Sequence, residues 1–425
     1  MEEEVKEIKF VISDLHLGEG WQNYFKYQLE AFDNDLVFKH FIEMIVKRYA
    51  YANKETKVTL ILNGDTFDPL AVVYKGESQV IPVESVDVYK MKRIIQGHPI
   101  FFNALAEFLS HNNFNLQIVI GNHDLFLHWP LVQKTLIRRL GEKYSSRISF
   151  VTSILENRIY IAHGNSEYHN QSPAVPIVKE LTLVPFKRGW LKKMLIEGEL
   201  LEEKMVLDVP LGHYLVTNLQ NPLKKYNSLI GHMRHNHGFV WLNALFGLGR
   251  KTWYRKHRLF GVIAVLTGIW IMIKFWWYQG NIRIVKKIFQ VLWWTITGVL
   301  EGQTSRDEAK RILERDDVDA VIFGHEHVPC FETIRVGVKN KLYVNSGTWQ
   351  LIREVKVIPI ETKWRYGKRL ERIYRRIKRF LKFLFNPVIE DITEFPVVEI
   401  VYKNESRPLI QLLCFNDSKR ELEKL

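Results

Sequence analysis

Five short apolar runs in this chain each end in a cluster of Asp, Asn or His. Ile8 to Ser13 leads into Asp14-Leu15-His16, and Lys57 to Asn63 into Gly64-Asp65-Thr66-Phe67-Asp68. Leu116 to Ile120 leads into Gly121-Asn122-His123-Asp124, Arg158 to Ala162 into His163-Gly164-Asn165, and Ala320 to Phe323 into Gly324-His325-Glu326-His327. Runs of this length, rich in β-branched residues and punctuated by glycine, predict buried strands. Ligands of open α/β sheets gather at the carboxyl ends of the strands. Five strands with the same ending therefore predict one site assembled from distant parts of the chain.

The segments between these runs predict helices. Leu29 to Tyr51 places Phe38, Phe41, Ile42, Ile45 and Val46 at helical spacing, and Val86 to Ser110 carries a second pattern broken near Gly97-His98-Pro99. Leu131 to Leu140 and Arg306 to Arg315 read as further helices, and Lys341 to Trp349 as a strand ending in Asn345-Ser346-Gly347-Thr348-Trp349, a tight turn assigned no chemistry. Strands alternating with helices argue for a layered α/β core. Residues 1–170 form its first part and 303–362 its second. Between them, 171–302 is interrupted by Pro173, Pro176, Pro185, Pro210 and Pro222, lacks a ligand-tipped strand, and is expected to be a helical insertion. A basic amphipathic helix is expected over 363–385, and C-terminal strands over 386–425, with Val397 to Tyr402 and Leu409 to Phe415 as two of them.

Asp, His and Asn offer oxygen and nitrogen ligands suited to Mn, Fe, Zn or Ni. Two divalent ions about 3.5–4 Å apart can clamp an in-line displacement at phosphorus and acidify a water. The order Asp-x-His, Gly-Asp-x-x-Asp, Gly-Asn-His-Asp, His-Gly and Gly-His-x-His resembles the calcineurin-like metallophosphoesterases over roughly residues 8–168 and 305–350. The resemblance implies a four-layer α/β/β/α sandwich with the helical insertion between the fourth and fifth motifs. It implies that Asp14, His16 and His327 hold a first metal ion, that Asp65 bridges, and that Asn122, His163 and His325 hold a second. It further implies that His123 faces the leaving group and that Asp68 orients it. Mn²⁺ is the expected ion, with Fe, Zn, Ni and Mg as alternatives. Asn165 and His169 follow His163 closely and are expected to line the substrate cleft.

The formal net charge of +13 favours an anionic partner. Two cysteines, Cys330 and Cys414, exclude a disulfide framework and suit a reducing compartment. The start Met-Glu-Glu-Glu-Val has neither the basic nor the apolar region of a signal peptide, so a cytoplasmic catalytic part is expected. Leu259 to Tyr278 is an apolar run of 20 residues broken by Lys274, and Ile288 to Leu300 is a second run of 13. The first has the length of a membrane span; the second does not. His325 and His327 must meet Asp14 and Asp65, which excludes a single crossing. Arg283, Lys286 and Lys287 beyond the intervening turn favour a shallow dip into one leaflet over two spans or a cap packed on protein. Residues 363–382 carry ten basic residues against Glu371, beside an apolar stripe of Leu370, Ile373, Ile377, Phe380 and Leu381. That pattern seeks a membrane surface. The His232 to His237 tract lacks carboxylates and follows no strand, so it is not expected to bind metal.

The expectation is a dinuclear metal-dependent phosphohydrolase, peripheral or monotopic at the inner face of the cell membrane. Its substrate would be a phosphoester or pyrophosphate that is lipid-linked or a nucleotide-lipid. The chain also looks similar to the UDP-2,3-diacylglucosamine hydrolases, which typically carry Arg at the position of His123 and Asp at that of Asn165. Two other functions compete. One is a nuclease or nucleotide phosphodiesterase holding nucleic acid on the basic helix, and the other is a non-catalytic membrane scaffold.

Overall fold

All five apolar runs are β-strands in the computed structural model. It describes residues 5–20, 29–51, 55–74, 83–164, 182–183, 205–206, 305–350, 352–356, 388–392, 394–403 and 407–425. The first sheet contains β1 (Val5–Ile12), β2 (Lys57–Asn63), β3 (Phe114–Val119) and β4 (Ile148–Val151), all parallel. Between them lie α1 (Asp35–Ile45), α2 (Glu84–Gly97), α3 (Pro99–Ser110) and α4 (Pro130–Leu140). The second sheet takes β5 (Ser153–Glu156), β6 (Ile159–Ala162), β9 (Ala320–Phe323), β10 (Cys330–Val336) and β11 (Lys339–Asn345), with α5 (Ser305–Leu313) leading into β9. In between, β7 (Thr182–Leu183) pairs with β8 (Met205–Val206). After β11, β12 (Ile352–Lys356) pairs with β13 (Val388–Ile392). The strands β14 (Pro396–Lys403), β15 (Leu409–Asn416) and β16 (Glu421–Lys424) extend the first sheet antiparallel from β1.

The central strands β1 and β2 are buried on both faces over most of their length, which is why they read as apolar runs. Register aligns Phe10 with Leu60 and Leu60 with Leu116, and this row packs with Phe38, Phe41, Phe101 and Leu136 of the helices. The alternate residues Val11, Ile61 and Val119 join Ile159, Ile161, Ile322 and Val344 of the second sheet in a separate buried cluster. Ala309 and Leu313 of α5 pack with Val321, Phe323 and Tyr343. Because side chains alternate with period two, the same strands can serve two cores. The described fold is mixed α/β with two mixed sheets.

Two local features depart from the expected helices. Residues 29–34 are not helical, because the buried Glu30 carboxylate accepts hydrogen bonds from the backbone N–H groups of Gly18, Gly20, Ala31 and Phe32. The α1 helix therefore starts at Asp35 and passes into a π-helical turn over Val46–Tyr51. The buried Lys341 closes the C-terminal end of α5, donating from Nζ to the carbonyls of Leu313, Arg315 and Val318 at 2.6–2.7 Å. Each carbonyl left unpaired there would cost roughly 1–3 kcal/mol.

The chain divides into two compact units, one of residues 1–231, 298–350 and 394–425, the other of 232–297 and 351–393. Apart from β7 and β8, the expected insertion lies outside the described residues, as do 259–300 and 363–382. No helix among the described residues is long and apolar enough to cross a membrane.

Candidate metal centre

Because β1, β2 and β3 are parallel neighbours, their ends deliver Asp14, Asp65 and Asn122-His123 to one rim. The loops after β1 and β2 go on pairing past the strands: His16 N donates to Asp65 O at 2.9 Å and Leu17 N to Thr66 O at 3.0 Å. In the second sheet β6 and β9 are also parallel, and Gly324 N donates to His163 O at 3.0 Å. That bond sets His163 beside the His325 loop.

Side chains from these ends form three groups whose ligand atoms lie within 4.8 Å of one another: Asp14, His16 and His327; His16, Asp65 and His123; and Asp65, His163 and His325. Asp65 belongs to two of them. Its Oδ2 stands 3.7 Å from His16 Nε2 and 3.1 Å from His163 Nε2. Asp14 Oδ1 stands 3.1 Å from His327 Nε2 and 3.9 Å from His16 Nε2. Asp14 Oδ1, Asp65 Oδ2 and His163 Nε2 are buried and lack any partner with hydrogen-bond geometry. Buried polar atoms are almost always paired, so three orphans converging from different strands fit a cation. These buried Asp and His groups can hold a metal ion.

Other bonds fix which atoms face the centre. His163 Nδ1 donates to Asn63 O at 3.0 Å, so Nε2 is the nitrogen free to ligate. Asp65 Oδ1 accepts from His123 N at 2.8 Å, and Asp14 Oδ2 accepts from His325 N at 2.9 Å. In each carboxylate one oxygen is thereby anchored and the other is left to the centre. His123 Nδ1 lies 3.2 Å from Asp68 Oδ1, an oxygen that also accepts from Leu70 N. Asn122 sits between Gly121 and His123, and its Oδ1 is buried. A Cβ on Gly121 would stand 2.3 Å from Asp65 Oδ1, so only glycine lets that loop approach the carboxylate.

Charge follows the geometry. Burial would raise the Asp65 carboxyl, but His163, His123 and His16 hold it well below the usual range. Burial would depress His163, yet Asp65 and Asp14 lift it to about 10. Burial, and then the neighbouring His163 charge, push His325 down to about 4. Buried groups perturbed by specific charge partners cluster at functional sites.

Strain also concentrates here. Among the described residues eight non-glycine residues have positive φ, and five of them are Asp14, His16, Asp65, His325 and His327, at 49–69°. The left-handed conformation costs about 1–2 kcal/mol per residue. It persists where surrounding contacts over-determine it, commonly at active sites.

Asp14, His16, Asp65, Asp68, His123, His163, His325 and His327 are thus brought together, with Asn122 beside them. Asn165 and His169 lie outside the described residues. One supporting residue carried no sequence assignment. Asp124, the last residue of the Gly-Asn-His-Asp motif, is fully buried and accepts from Gly121 N at 2.6 Å and Thr66 N at 2.9 Å. It ties the β3 loop to the β2 loop, and burial together with Asp65 lifts its carboxyl to about 7. No family model matches the chain, and no curated protein sequence matches it.

Proposed function

We propose that this chain is a dinuclear metal-dependent phosphohydrolase of the calcineurin-like metallophosphoesterase type. The observation that carries the proposal is Asp65, a buried carboxylate belonging at once to the His16 group and to the His163–His325 group. A carboxylate so placed suits a bridge between two cations, with Asp14, His16 and His327 on one side and Asn122, His163 and His325 on the other. Separate buried clusters, one joining the first sheet to its helices, one joining the two sheets and one joining the second sheet to α5, support a helix, sheet, sheet, helix reading.

When bound, divalent ions supply positive charge to phosphoryl oxygens and acidify a water for in-line attack. The chain's own residues do the rest. His163 Nδ1 is held by Asn63 O, so that Nε2 is the nitrogen that would hold a metal ion. Asp65 and Asp14 each keep one oxygen on a backbone N–H, which aims the other and fixes the spacing between the two halves. His123 presents its outer nitrogen to the leaving oxygen and gives it a proton, while Asp68 on Nδ1 orients the ring and steadies its charge. Asp124 keeps the loop carrying His123 against that carrying Asp65.

For the substrate we propose a phosphoester or pyrophosphate with a lipid part, met at a membrane surface. The support is the composition of 259–300 and 363–382, apolar in the first and cationic-amphipathic in the second. The test is hydrolysis of bis(p-nitrophenyl) phosphate by the full chain with Mn²⁺, expected to be lost with EDTA and in Asp65→Asn. Absence of metal-dependent turnover across monoesters, diesters and pyrophosphates would refute the proposal. Preference for DNA or RNA over lipid phosphates would move the substrate class to nucleic acid.

A further inference from the structure

The turn after β11 is bound to both halves of the centre. Asn345 Nδ2 donates to Gly324 O at 2.6 Å, and its Oδ1 accepts from Gly347 N at 2.9 Å. Ser346 N and Oγ both donate to Phe323 O, at 2.7 and 3.0 Å. These bonds hold the loop that carries His325 and His327. On the other side, Thr348 Oγ1 donates to Asp14 O at 2.6 Å, and Ser13 Oγ, with one hydrogen to give, stands 2.7 Å from Ser346 Oγ and 3.0 Å from Gly347 O. These hold the loop that carries Asp14 and His16. Ser13, Asn345 and Ser346 are wholly buried and Thr348 is 3% exposed. Gly324 is pressed so close that a Cβ there would stand 2.6 Å from both Asp14 Oδ2 and Ser13 Oγ. The next residue, Trp349, is wholly buried among Phe38, Phe41 and Phe395, with Nε1 donating to Pro396 O at 2.8 Å. The turn therefore starts in the second sheet and is anchored in the helical core of the first.

From this geometry we infer that Ser346 and Thr348 are positioning residues that set the spacing between the ligands of the two sheets. The inference rests on the metal-centre proposal and goes beyond it, since neither hydroxyl is a ligand. Asp14 stands in the left-handed conformation, and its carbonyl accepts from Thr348 Oγ1 at 2.6 Å and from Trp349 N at 3.4 Å. Removing the hydroxyl leaves the Asp14 carbonyl with the longer bond from Trp349 N. The Asp14 carboxylate then loses its alignment with His327 and with the His325 amide it accepts from. Partners that orient ligands in this way typically govern metal affinity by roughly 10–100-fold.

The experiment is Mn²⁺ titration of the full-length metal-free chain by calorimetry, with thermal unfolding of the same samples. Thr348→Val, which keeps the shape and removes the donor, should bind Mn²⁺ at least roughly tenfold more weakly, and Thr348→Ser should restore affinity to within about threefold. Ser346→Ala gives a second, milder measurement should Thr348→Val fold poorly. Lys341→Met, which loosens the far end of β11, should lower the unfolding temperature and leave Mn²⁺ affinity unchanged. Wild-type affinity in both hydroxyl variants, or a loss in Lys341→Met equal to theirs, would overturn the inference while leaving the metal centre standing. Absence of Mn²⁺ binding by the wild-type chain would overturn the metal centre itself, and the inference with it.

Discussion

Replacing His98 by Asn should remove a pH-dependent part of the protein's stability that this one imidazole supplies. His98 is 1% exposed and sits between α2 and α3, with Nδ1 2.9 Å from Asp35 Oδ2 and Nε2 3.4 Å from Glu30 Oε2. Burial would depress its pKa, but the two carboxylates outweigh burial and raise it from 6.5 to about 9. At about 1.4 kcal/mol per pH unit, that rise is worth about 3 kcal/mol of folding free energy. The folded-state value lies above the unfolded one, so the stabilisation is complete below pH 6.5 and is lost as pH climbs through about 9. Asn cannot titrate. The gap in unfolding free energy between wild type and His98→Asn should therefore be widest near pH 6 and narrower by about 3 kcal/mol near pH 10. Urea unfolding followed by tryptophan fluorescence, in EDTA across this range, measures both proteins. The raised His163 titrates in each and cancels in the difference. A gap that stays constant to within about 1 kcal/mol would refute the argument that His98 is held as an imidazolium between the two carboxylates.

Two further outcomes follow from the site. Gly121→Ala, whose Cβ would stand 2.3 Å from Asp65 Oδ1, should destabilise the fold by about 1–3 kcal/mol and weaken Mn²⁺ binding; calorimetry showing wild-type affinity would refute the close-approach argument. His123→Gln should lower kcat on the aryl diester roughly 10²–10⁴-fold with Mn²⁺ affinity kept, and a collapse of that affinity would instead make His123 a ligand.

The site was far more legible in the sequence than its supports. Asp14, His16, Asp65, His163, His325 and His327 each follow a strand directly, so one local pattern repeated five times pointed to all of them. The pairing of His123 with Asp68 came only through the resemblance, because nothing local links residues 55 apart; the structure gives that contact at 3.2 Å. Glu30 looked like a helical residue because its neighbours have helical spacing. What removes it from the helix is four backbone N–H groups, two of them from Gly18 and Gly20, and no periodicity encodes that. Thr348 was visible as part of a turn, but its partner is the Asp14 carbonyl, 334 residues away. Hydrogen bonds to backbone over such separations leave no trace in composition or spacing.

The chain leaves the second sheet at Ala162, just before His163, and returns to it at Ala320 through α5, whose first residue Ser305 donates its backbone N–H to Glu326 Oε1 at 3.1 Å. Both junctions thus border the same few proposed ligands, since Glu326 lies between His325 and His327. The strands on either side of this excursion, β6 and β9, are direct neighbours, so the frame closes on itself whatever lies between. Among the described residues, no strand of either sheet comes from 165–304. On the proposed reading, recognition and chemistry would sit on separate stretches of sequence, so that a change in the first need not disturb the second.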